Sequence, residues 1–134
     1  MSCVLDAAVV VSALRRTEPH HQACLRRCKR IFSGEESLVV PAIFDLEVCA
    51  ALVRRGIPLP RVEQFLAAHL PDRHRVVIGP RAVAAAQRVV RTTRLRAADA
   101  LYVWVAARSG LPLVTIDEEV LSRGPLAGVT AERP

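Results

Sequence analysis

The chain has 134 residues, 51% of them apolar and 4% aromatic, so one domain over residues 1–134 can close round an aliphatic core without disulfide staples. No apolar run approaches 18 residues and the opening MSCVLDAAVV carries no basic leader, so a membrane span and a signal peptide are both unexpected and the cytoplasm is the expected location. The net charge is +6, and all the basic residues but Lys29 are arginine, whose planar fork suits phosphates; codon composition of a GC-rich genome accounts for the same bias.

In chain order, SCVL (2–5) reads as an apolar strand that stops at Asp6, and AAVVVSALRR follows as a helix. TEPHHQACLRRCKRIF reads as a second helix, with Thr17 as its cap and Pro19 near its first turn. His20, Cys24 and Cys28 recur on it at intervals of four; the stripe could hold a metal but lacks a fourth ligand, and the chain has no CxxC pair. SLVV, closed by Pro41, is a second strand, and AIFDLEVCAALVRR is a third helix that ends at Gly56. A fourth helix is expected from Leu59 to about His69, a third strand over RVVI (75–78), and a helix from Pro80 through RAVAAAQRVVRTT. AADALYVWVAARS is the next helix, ended by Gly110, and LPLVTI is the fourth strand, with a short helix after Asp117. GVTAE closes the chain as an edge strand.

Short strands, apolar on both faces and alternating with helices, imply an α/β fold: three layers, α/β/α, round a mostly parallel sheet of four to five strands. In such sheets ligands bind beyond the carboxyl ends of the strands. Asp6 ends the first strand and Asp117 the fourth, so the two acids share one edge of the sheet. Each also has an ordinary role: Asp6 and Asp117 can cap the helices that follow, and Asp99 sits in a first helical turn, where negative charge suits the dipole. Glu47 is different, because it stands in mid-helix with Ile43, Phe44, Ala50 and Ala51 at its i±3 and i±4 positions. Asp45 has apolar neighbours of the same kind, and periodicity leaves the choice between Asp45 and Glu47 open.

Nucleotide-binding glycine loops and a GxSxG elbow are absent. A phospho-aspartyl phosphatase would need a second Asp where Ala8 stands. Four blocks together resemble the PIN domain, most closely the VapC-like toxins of type II toxin–antitoxin pairs: VLDAAVVVSAL, VVPAIFDLEVCAAL, RAADALYVWVAARSG and LPLVTIDEEVL. In the second block the family's acid follows the proline by six residues, which selects Glu47. The resemblance implies a ribonuclease dependent on Mg²⁺ or Mn²⁺. Asp6, Glu47, Asp99 and Asp117 would be its metal ligands and catalytic acids, with Thr115 a supporting hydroxyl. It also implies an RNA substrate, a cognate antitoxin and a homodimer. The chain departs from the family at Ala7 and Ala8, where a Ser, Thr or Asn usually follows the first Asp. Two other readings compete: a PIN-like RNA-processing or repair nuclease, and a non-catalytic RNA- or protein-binding module in which the acids only cap helices.

Overall fold

A computed structural model describes residues 1–134. Five strands, β1 (Ser2–Leu5), β2 (Ser37–Pro41), β3 (His74–Val76), β4 (Leu113–Val114) and β5 (Ala131–Glu132), form one sheet in the order β3-β2-β1-β4-β5. Every pairing is parallel, as β-branched and leucine-rich strands buried on both faces require. The helices are α1 (Ala7–Ala13), α2 (His21–Phe32), α3 (Ile43–Val53), α4 (Leu59–His69), α5 (Pro80–Thr93), α6 (Ala97–Ser109) and α7 (Glu118–Arg123). A 3₁₀ turn spans Gly124–Ala127. Helix α1 packs on both α2 and α3, and α3 on α4, while α5 and α6 pack together and α6 lies against β1, β2 and β4.

The strand order places the site. From β1 the chain steps outward to β2 and β3, then crosses back to β4 on the other side of β1. The direction of winding therefore reverses between β1 and β4, and the helices leaving neighbouring strand ends there part to opposite faces. That leaves a crevice at the carboxyl edge. Asp6 and Asp117 follow these two strands. The core beneath is aliphatic: Val4, Leu5, Val40, Val103 and Leu113 are fully buried, and Phe44 is the one large ring among the fully buried side chains.

Several boundaries differ from expectation. The second helix begins at His21 and not at Thr17; its cap position, His20, makes no side-chain bond. The residue before a proline disfavours the helical region, and here that residue is Glu18. The Glu18 carbonyl accepts from the His21 N–H, forming a turn that reverses the chain after α1. The third strand covers His74–Val76, one residue earlier and shorter than RVVI, because its partner β2 ends at Pro41, opposite Val76. Val77 is consequently left 79% exposed. Helix α6 occupies the expected residues and stops at Gly110, whose φ of 67° is a left-handed cap that suits glycine. Cys24 and Cys28 point into the core while His20 is exposed, so the cysteine–histidine stripe does not gather. No helix is long and apolar enough to cross a membrane.

Candidate active site

Asp6 leaves β1 in an extended conformation and caps α1: its carboxylate accepts from the Ala8 N–H at 3.3 Å. Its other oxygen accepts from the Thr115 hydroxyl at 3.0 Å. The same hydroxyl accepts from the Asp117 N–H at 3.1 Å. Thr115 thus ties the ends of β1 and β4 together, standing where the side chains of Ala7 and Ala8 offer nothing polar. Asp117 caps α7, accepting from the Glu119 and Val120 N–H groups at 2.8 and 3.1 Å. Capping and membership of the site coexist: for both acids one oxygen serves the helix, and the other is used elsewhere.

Glu47 projects from the face of α3 turned to the crevice. Its carboxylate accepts a 2.7 Å bond from the Tyr102 hydroxyl on α6. Asp45, the alternative, is committed to structure: Arg73 bonds both its oxygens at 2.8 and 2.7 Å, and Arg75 adds a contact at 3.1 Å. These guanidinium groups hold its carboxyl below the usual carboxylate range against the effect of burial. Asp6 and Glu47 line one cleft of about 310 Å³ with Ala8, Ser12, Arg55 and Ile116.

Asp99 lies in the first turn of α6, and its side chain is only 15% exposed. One oxygen, Oδ2, is buried without a hydrogen-bond partner. Arg96 approaches that oxygen at 3.5 Å, an ion-pair distance without hydrogen-bond alignment, and reaches Asp117 at 3.3 Å with its other arm. As the side chains stand, no three His, Cys, Asp or Glu residues are placed to hold one ion between them. What the structure brings together is a chain of neighbours: Glu47 beside Asp6 in the cleft, Asp6 joined to Asp117 through Thr115, and Asp117 joined to Asp99 through Arg96.

The electrostatics of this group are those of excess negative charge. Burial raises the Asp6 carboxyl, and Glu47 and Asp117 add to the rise; Thr115 and the Ala8 N–H oppose it. Burial likewise raises Glu47, with Asp99 contributing and the Tyr102 hydroxyl opposing. Asp99 is pushed up to about 6 by burial, then by Asp6 and Asp117, with Arg96 opposing. Asp6 and Asp99 each feel two of the other acids and Glu47 feels one, so repulsion links the group. An all-oxygen donor set, one orphaned buried oxygen and uncompensated charge fit a hard divalent cation.

Two residues of the group were not singled out in the sequence. Tyr102 stands three positions after Asp99 on the same face of an apolar helix, and a buried tyrosine hydroxyl needs a partner. Arg96 stands three before Asp99, the spacing of a helical ion pair. Both signals are visible in hindsight, but neither names Glu47 or Asp117 as the second partner.

The PIN domain family model matches residues 3–124. Ribonuclease VapC3 of Mycobacterium tuberculosis strain H37Rv is 32% identical over 126 residues, covering 92% of this chain and 88% of the relative. Among solved structures, FitAB bound to an IR36 DNA fragment superposes with a TM-score of 0.73 at 16% identity, covering 100% of this chain and 95% of the other. VapBC2 from Rickettsia felis, bound to a DNA fragment from its promoter, gives 0.68 at 14% identity, covering 100% and 99%. PAE2754 from Pyrobaculum aerophilum gives 0.69 at 22% identity, covering 98% and 83%. These three likenesses show the fold, while the family match runs from β1 to the end of α7 and takes in every acid of the crevice: the chain belongs to the PIN domain family.

Proposed function

We propose that this chain is an endoribonuclease that hydrolyses RNA phosphodiester bonds with Mg²⁺ or Mn²⁺, and that it acts as the toxin of a toxin–antitoxin pair. The observation that carries the reading is the crevice at the β1/β4 switch point. Of the four carboxylates linked there, Asp6 and Glu47 have no ion-pair partner, Asp99 and Asp117 share Arg96, and Asp99 keeps an orphaned buried oxygen. Asp6, Glu47, Asp99 and Asp117 would hold the metal. A divalent ion bound there supplies charge neutralisation at the scissile phosphate and makes water a better nucleophile.

The chain's own residues orient that set. Thr115 fixes the Asp6 carboxylate through its 3.0 Å bond and spaces it from Asp117. Tyr102 holds Glu47 toward the cleft from the opposite helix. Arg96, with a 74% exposed side chain, spans Asp99 and Asp117 as a movable counter-ion at the mouth and is free to turn to a phosphate when the acids find another partner. Ribonuclease VapC3, the similarity to the VapBC2 and FitAB structures and the arginine-rich composition support the toxin reading. In this reading residues 1–134 form one catalytic unit, a cognate antitoxin covers the crevice, and two copies associate.

The test is cleavage of labelled RNA by the purified protein. Mn²⁺ or Mg²⁺ should support cleavage, EDTA should end it, and Asp6→Asn should lower it by roughly a hundredfold to a thousandfold, the scale of losing one electrostatic anchor of the reacting group. Undiminished cleavage in EDTA, or by Asp6→Asn, removes the metal site from the mechanism. Growth arrest on expression, relieved by the adjacent gene's product, separates a toxin from an RNA-processing enzyme.

A further inference from the structure

Residues 80–98 contain five arginines, Arg81, Arg88, Arg91, Arg94 and Arg96, and no acid. Elsewhere in the chain eight of 13 arginines meet carboxylates, Arg27, Arg55, Arg73, Arg123 and Arg133 among them, and Arg16, Arg26, Arg54, Arg61 and Arg108 do not. Arg81, Arg88, Arg91 and Arg94 are exposed and have no such partner, and only Arg96, at the acids, has one. Helical spacing puts Arg81, Arg88 and Arg91 on one stripe of α5, roughly 15 Å from first to last, opposite the face that buries Ala82, Ala86 and Thr93. The stripe ends where the chain turns through residues 94–96 into α6 and the acid crevice.

Arg94 adds a separate observation. It is the sole non-glycine residue with positive φ, at 57°, and caps α5 in the left-handed region. Glycine is the residue that relieves this conformation, so a long charged side chain there is retained against local backbone preference. Arg94 is exposed and stands two residues before Arg96, the arginine that reaches Asp99 and Asp117.

We propose that the outer face of α5, Arg81, Arg88 and Arg91 with Arg94 at its end, is the track along which the phosphate backbone of single-stranded RNA runs into the acid crevice. The assignment rests on the ribonuclease reading for the identity of the polyanion. Guanidinium groups pair with phosphate oxygens in bidentate fashion and release condensed counter-ions as they do so. A second copy of the chain is a poor occupant, since a two-fold contact through this face would set arginine against arginine with no acid on the helix to answer it. Net positive charge alone can be tested separately, because Arg16, Arg26 and Lys29 are also exposed and without an ion-pair partner but stand outside α5, after α1 and on α2.

The experiment is binding of a fluorescein-labelled single-stranded RNA to the full-length protein in EDTA, followed by anisotropy between about 50 and 200 mM salt. Arg81→Gln/Arg88→Gln/Arg91→Gln should weaken binding on the order of tenfold and flatten the plot of log Kd against log salt by about 2, three phosphate contacts at about 0.7 each. The charge-matched control Arg16→Gln/Arg26→Gln/Lys29→Gln should change the slope by much less. Arg94→Gly should melt at an equal or higher temperature and yet bind RNA several-fold more weakly, a split that a structural role for Arg94 does not produce. Equal losses in the two triple variants would reduce the track to net charge and overturn it. Competition by polyglutamate as effective as by RNA of equal charge would make the face a docking site for an acidic protein segment, overturning it too. Wild-type cleavage with Mn²⁺ and an unaffected triple variant would defeat the track alone; RNA binding that depends on α5 without any cleavage would defeat the nuclease reading and leave the track.

Discussion

Glu36, just before β2, and Asp6, just after β1, stand at opposite ends of the parallel strands, and their surroundings differ in kind. Glu36 is 2% exposed and saturated with partners. Arg27 bonds both its oxygens at 2.8 and 3.1 Å, Arg30 approaches at 3.5 Å and the Cys3 thiol at 3.4 Å. The result is a carboxyl held below its ordinary range despite burial, while the neighbouring Cys3 thiol is pushed up to about 12, burial first and Glu36 second. Asp6 has a hydroxyl and one backbone N–H for partners, and its carboxyl is raised by burial and by two other acids, Glu47 and Asp117. One fold can neutralise a buried acid completely when the acid serves packing. Where it leaves several acids short of positive charge, the deficit is the property that a metal site needs.

The largest effect should come from breaking the satisfied end. Arg27→Met strands a carboxylate whose side chain is 1% exposed, and should cost about 3–5 kcal/mol, lowering the melting temperature by roughly 10–20 °C. Adding Glu36→Gln should recover part of the loss. A melting temperature within a degree or two of wild type would show that Glu36 does not depend on its guanidinium partner, and the contrast with Asp6 would collapse.

The unsatisfied end should respond with the opposite sign. Asp99, raised to about 6, binds a proton more readily folded than unfolded between about pH 4 and 6. Its contribution to stability therefore improves as pH falls through that window, and above it the ionised group is a standing cost. Asp99→Asn should melt roughly 3–10 °C higher than wild type at pH 7.5 in EDTA, with the advantage fading toward pH 4. Glu36 and Asp45 titrate the other way: their lowered values stabilise the fold at neutral pH, and that support is lost as pH falls through them. Mn²⁺ at a hundred times its Kd should stabilise the wild type by about 2.7 kcal/mol and leave Asp99→Asn largely unmoved. Destabilisation by Asp99→Asn at every pH would make this acid a structural one.

The smallest change belongs to Arg96, the one counter-charge spanning the acids. Arg96→Gln removes a cation within 3.5 Å of Asp99 and 3.3 Å of Asp117 while leaving the backbone and the helix start intact. Calorimetric or electron-paramagnetic titration without RNA should show Mn²⁺ binding roughly fivefold tighter, worth about 1 kcal/mol. Weaker binding would mean that Arg96 organises the acids instead of competing for them.

Much of this molecule is legible in one dimension because its signals are local. The bounds of α4 and α6, the glycine stop at Gly110 and the strand-end positions of Asp6 and Asp117 follow from apolar periodicity, caps and turn residues within a few positions of each other. The parallel, helix-covered sheet follows from short strands that are apolar on both faces. Where the sequence misled, at Thr17 and at the end of β3, the deciding fact was a chain reversal or the length of a partner strand. Asp45 and Glu47 were indistinguishable by periodicity, and the family spacing that selected Glu47 offered no physical reason. What separates their surroundings is tertiary: Asp45 is taken by Arg73, 28 residues on, whereas Glu47 meets Tyr102, 55 residues on, and lines the cleft. The bond from Thr115 to Asp6 spans 109 residues and exists because β4 returns to lie beside β1. Composition and pattern determined which residue types would stand at strand ends and on helix faces. Only the strand order, set by burial of both sheet faces and by the handedness of the crossovers, decided which acids share a crevice and which are neutralised.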